Sequence, residues 1–165
     1  MDQALMENYC SVVKDTDIVY FLGDHVMGNR MEGLAKIKSL PGTKIAIRGN
    51  HDYDHSIHPQ KVRDKWIPIY RDTFDIVIDS WSIIQTWHDR VIKMCHFPTT
   101  FQFDGDKKYS AYRPDIDDCD WLLCGHVHNA WKVQPENKTV NVGVDVHNYR
   151  PVSQEELLEL MRQYE

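Results

Sequence analysis

Four short apolar runs, each breaking off into glycine or a polar, ligand-type residue, constrain this chain more than any other feature. "IVYFL" at 18–22 runs into Gly23-Asp24, and "KIAIR" at 44–48 into Gly49-Asn50-His51-Asp52. "VIKMC" at 91–95 runs into His96, and "WLLC" at 121–124 into Gly125-His126-Val127-His128. Continuous apolar runs this short suit strands buried on both faces.

The intervening stretches supply helices and turns. Leu5, Met6, Tyr9, Val12 and Val13 have helical spacing, as do Met31, Leu34, Ile37 and Leu40 before the stop at Pro41-Gly42. Residues 74–95 read as strands joined by tight turns, and 96–118 as a polar loop with a short helix. Residues 130–146 read as a hairpin turning at "PEN". Ser153 with Glu156 forms a capping box that opens an amphipathic helix bearing Leu157, Leu158 and Met161. The expectation is one α/β domain over 1–165, with two packed mixed β-sheets flanked by helices.

Composition narrows the function classes. Charged residues make up 27% and the formal net charge is -6, which disfavours a general nucleic-acid binder and slightly favours small substrates over long nucleic acids. Four cysteines without a CxxC pair do not suggest a disulfide framework. The chain shows no signal-peptide pattern and no apolar run near membrane-span length, so a reducing, cytoplasmic location is the expectation.

In open α/β sheets, sites form beyond the carboxyl ends of the strands. Asp24, Asn50, His96 and the His126-x-His128 pair all stand at such ends, and residues i and i+2 of an extended segment share a side. Each motif alone has a bland reading, a turn or a satisfied structural histidine. Carboxylate, amide oxygen and imidazole together suit Mn, Fe, Zn or Ni, and the lack of cysteine ligands argues against a closed structural zinc site.

The ordered set "GD", "GNHD", "CHFP" and "GHVH" resembles the calcineurin-like metallophosphoesterases, over roughly residues 1–152. The ending "NVGVDVHNYRPVS" is similar to a bacterial or phage subgroup of small phosphoesterases in that family. The resemblance implies hydrolysis of phosphate esters, mono- or diesters, by metal-activated water. It implies that Asp24 bridges two divalent metal ions, that Asn50, His96 and His126 complete one shell, and that His128 serves the other ion. His51 would be the catalytic non-ligand histidine facing substrate, and Asp52 would support its loop.

The family pattern begins with an Asp-x-His motif at the end of a first strand, and this sequence lacks it. The second ion keeps only Asp24 and His128, so one metal is a possible complement here. The chain reads either as an N-terminally incomplete fragment of an active enzyme or as a natural short form. The alternative function is a catalytically impaired metal-binding or scaffold module. Of the remaining candidates, His55 and His58 read as a solvated loop, His88 as a hairpin turn, and "DGDKK" at 104–108 as a solvated loop able to cover the site. Arg48 reads as a phosphate contact or a strand-end charge, and His147 as a residue able to approach the site.

Overall fold

The computed structural model describes residues 2–100 and 104–165. Positions 101–103, inside the expected loop-and-helix segment, lie outside the described residues. The first half alternates: α1 (Asp2–Val12), β1 (Ile18–Leu22), α2 (Arg30–Lys38), β2 (Thr43–Ile47), α3 (Gln60–Thr73) and β3 (Ile76–Val77). The second half is strand-rich: β4 (Ser82–Trp87), β5 (Arg90–Cys95), a 3-10 helix at Asp104–Tyr112, β6 (Trp121–Cys124), β7 (Val133–Gln134) and β8 (Thr139–Asn141). The chain closes on α4 (Gln154–Arg162), whose capping box is present in full.

The strands form two sheets. One is a parallel three-stranded sheet in the order β1-β2-β3; the other has five strands in the order β4-β5-β6-β8-β7. Within the second, β5, β6 and β8 run parallel, while the β4–β5 and β7–β8 pairs are antiparallel. The expected α/β architecture of two sheets with flanking helices is therefore present, the smaller sheet being parallel throughout its described strands.

The apolar runs do what their composition predicts. Leu22 and Ile47 of the small sheet share a core with Ile92, Met94, Trp121, Leu123 and Val140 of the large one, and Leu157, Leu158 and Met161 of α4 join it. The far face of the small sheet packs Ala46 against Leu34 of α2 and Tyr70 of α3. The far face of the large sheet packs Cys95 and Leu122 with Phe97, under Tyr109 and Tyr112. Both sheets are thus covered on both faces, and their strand ends are left as the place where polar side chains collect. No helix among the described residues is long and apolar enough to cross a membrane.

Candidate metal centre

The strand-end residues of β1, β2, β5 and β6 come together across the seam between the two sheets. Asp24, His96 and His126 each offer a ligand atom, all within 4.8 Å of one another. Asn50 Oδ1 lies 3.0 Å from His96 Nε2 and 3.0 Å from His126 Nδ1. The two ring nitrogens are 3.3 Å apart, and Asp24 Oδ2 is 3.5 Å from His96 Nε2.

Tight main-chain approach makes this convergence possible. Gly23 has φ +89°, and a Cβ there would sit 2.5 Å from the Gly49 nitrogen and 2.6 Å from His96 Nδ1. A Cβ on Gly49 would meet Asp24 Oδ1 at 2.2 Å. Only glycine leaves room for the two loops to touch. Gly125 differs: an added Cβ would make ordinary contacts, and His126 itself takes the left-handed conformation at φ 68°. Asp24 (φ 54°) and His128 (φ 49°) are left-handed as well. Such backbone is costly for non-glycine residues and concentrates at functional sites.

Asp52 locks the two loops of the small sheet together. Fully buried, its carboxylate accepts from the backbone N–H groups of Gly49 (2.7 Å), Asp24 (2.8 Å) and His25 (3.1 Å), and from the Tyr70 hydroxyl (3.1 Å). The His25 ring stands 2.9 Å away. Burial pushes the Asp52 pKa upward, but His25 and the N–H donors outweigh it and hold the carboxyl well below its usual range. Burial likewise pulls on the His25 ring, but the Asp52 charge prevails and raises its pKa. The adjoining His51 is fixed by its main chain: its N–H donates to Asp24 Oδ1 at 2.8 Å, while the residue stays exposed. Arg30 stacks over Tyr53 at 3.9 Å and reaches the His51 carbonyl at 3.4 Å.

The donor set fits a divalent cation. His96 Nδ1 lies 2.8 Å from the Leu22 carbonyl, which can only accept, so the proton is on Nδ1 and the lone pair on Nε2 turns inward. His126 Nε2 lies 2.8 Å from Asp106 Oδ1, which leaves Nδ1 as its inward lone pair. Burial pulls the pKa of both rings below the ordinary histidine value, favouring the neutral, ligating form. Two imidazole lone pairs, an amide oxygen and a carboxylate facing one another are a donor set suited to a divalent cation.

The remaining candidates divide. His128 stands outside the cluster, its side chain 67% exposed and 3.8 Å from Asp145. His55 corrects the solvated-loop expectation: it is 2% exposed and packs edge-on to Tyr112. His58 reaches the Asn50 carbonyl at 3.1 Å and supports the loop from behind. Arg48 is a strand-end clamp, bonded to Asp54, Asp79 and the Ile78 carbonyl. His147 is buried against the Asn141 carbonyl. His88 occupies the β4–β5 turn.

The solvated "DGDKK" loop also needs correction, because Asp106 is fully buried and bound to His126 and Arg113. Its histidine partner lies 20 residues on, so no local signal betrayed it. Asn141 escaped notice for the same reason. It is fully buried, donates to the His128 and Trp131 carbonyls at 2.7 and 2.8 Å, and braces the turn that carries both histidines.

The Metallophos family model, described as calcineurin-like phosphoesterase, matches residues 3–130. The chain belongs to this family. Its relatives include an uncharacterized protein of Methanocaldococcus jannaschii, MJ1445, 28% identical over 98% of this chain and 75% of that one. The gene 66 protein of Mycobacterium phage L5 is 26% identical over 97% of this chain and 80% of its own length. Among solved structures, the protein of unknown function AQ665 from Aquifex aeolicus superposes with a TM-score of 0.67 at 24% identity, covering 96% of this chain and 84% of that one. That likeness speaks for the fold.

Proposed function

We propose that the protein is a metal-dependent hydrolase of phosphate mono- or diesters, with Asp24, Asn50, His96 and His126 holding one divalent ion such as Mn, Fe, Zn or Ni. The observation that carries this reading is the inward turn of two neutral imidazole lone pairs onto Asn50 Oδ1 beside the Asp24 carboxylate. Asp24 and His128 are the residues of this sequence available to a second ion. When bound, such an ion neutralises phosphoryl charge and lowers the pKa of water. The chain's own residues supply the rest. His51, pinned at its backbone to Asp24, is the residue whose exposed ring would give a proton to the leaving oxygen as the P–O bond to the leaving group breaks and the bond from water to phosphorus forms. Asp52 and Tyr70 hold the Asp24 and Asn50 loops rigid during that exchange.

Hydrolysis of an aryl phosphodiester and an aryl phosphomonoester with added Mn²⁺ tests this reading. Turnover is expected with Mn²⁺, lost with a chelator, and reduced ~10²–10⁴-fold in His51→Ala, the range for one general acid. Mn²⁺ binding without turnover, unchanged by His51→Ala, would instead identify a metal-binding module of the same fold.

A further inference from the structure

His126 is a ring whose orientation is not settled by its own strand. The aromatic rings of Phe97 and Tyr109 lie 4.8 and 5.7 Å from it, centroid to centroid, and restrict its tilt. They do not distinguish the ring from its flipped form, in which carbon atoms would replace both nitrogens. That choice falls to Asp106. Its carboxylate is fully buried, a state that requires hydrogen-bonded partners, and it receives His126 Nε2 on Oδ1 at 2.8 Å. Its other oxygen takes Arg113. Arg113 donates in turn to the carbonyls of Pro98 (2.6 Å) and Thr100 (2.5 Å), on the segment that directly follows His96. One polar chain, His126–Asp106–Arg113–Pro98, therefore ties the ends of β5 and β6 together behind the cluster.

We infer that Asp106 is the positioning residue of the metal centre: by accepting the Nε2 proton it fixes His126 in the tautomer and rotamer whose Nδ1 lone pair faces Asn50 and His96. The inference rests on the metal-centre reading above and goes beyond it, because Asp106 itself touches neither substrate nor ion. Carboxylates placed behind ligating histidines set ring orientation and basicity, and their loss typically costs ~10–100-fold in metal affinity.

The test is Mn²⁺ titration of the full chain, with the His126 tautomer read by imidazole ¹⁵N shifts in the metal-free protein and thermal unfolding as the check on the fold. Asp106→Ala is expected to bind Mn²⁺ ~10–100-fold more weakly and to lose the uniform Nε2–H tautomer. Asp106→Asn, which keeps an acceptor without the charge, is expected to fall between it and wild type, and it carries the test should the alanine variant fail to fold. Either folded variant binding Mn²⁺ as tightly as wild type, while His126→Ala loses binding, would overturn the positioning role and leave the metal centre standing. Wild type and His126→Ala binding Mn²⁺ equally would overturn the metal-centre reading, and this inference with it.

Discussion

A single buried carboxylate, Asp52, carries more of the site's geometry than any ligand. Three backbone N–H groups from two different loops converge on it, so its loss frees both loops at once. Asp52→Asn replaces an acceptor oxygen with a donor facing donors, and strands the raised-pKa His25 ring. An equilibrium stability loss of about 3–5 kcal/mol in urea is expected, the scale for breaking a buried charge pair. His55 sets a pH dependence of its own. Burial pulls its pKa down to about 4, while the unfolded chain titrates near the ordinary histidine value. Between those values the unfolded state binds more protons, so stability falls as pH drops through that window and levels off below pH 4. His55→Gln should flatten that segment of a denaturation-midpoint profile; an unchanged profile would show that the ring's burial is not what sets it. Asp24, Asn50, His96 and His126 were legible as a group because each stands within three residues of a strand end. Asp106 and Asn141 were not, since the contacts that tie them to the cluster, to the His126 ring 20 residues on and the His128 carbonyl 13 residues back, form only in the tertiary fold.

Between elements, the decisive contact is backbone against backbone. Gly49→Ala drives a methyl group into Asp24, whereas Gly28→Ala adds one with nothing within 4 Å. The first is expected to reduce both Mn²⁺ affinity and stability, the latter by about 1–3 kcal/mol, the range for overpacking. The second should leave the affinity unchanged. Equal affinities in a parallel titration would mean that the two loops need not touch. The strands, the first two helices and the hairpin were readable from apolar period and turn residues. α3 was not, because Pro68 sits in its interior, where proline removes an N–H donor and ordinarily breaks a helix. Packing overrides that signal: Tyr70 and Phe74 are buried against Leu34 and Ala46, with Trp66 and Ile69 alongside. β3 is only two residues long and falls inside the first of the expected strand runs, where it pairs with β2.

At the scale of the whole molecule, strand and helix alternation in the first half and a strand-rich second half were enough to predict two packed sheets with flanking helices, but both were expected to be mixed, and the smaller one is parallel throughout its described strands. The order β6-β8-β7 was beyond reach, since it depends on a late strand returning beside an earlier one. Asp24 and Asn50 extend from the small sheet, and His96 and His126 from the large one. Any ion held by all four therefore binds only the docked pair of sheets. Mn²⁺ at about 100 times its dissociation constant should add about 2.7 kcal/mol to unfolding stability, with a matching rise in Tm that a chelator reverses and His96→Ala abolishes. A Tm indifferent to Mn²⁺ would mean that the four groups do not act together. The chain passes from one sheet to the other between Val77 and Ser82, so a cut there would leave each piece with two of the four clustered groups and neither with the full cluster. Cation uptake by this cluster would thus be an assembly gauge: it would report that two separately encoded layers have met in register.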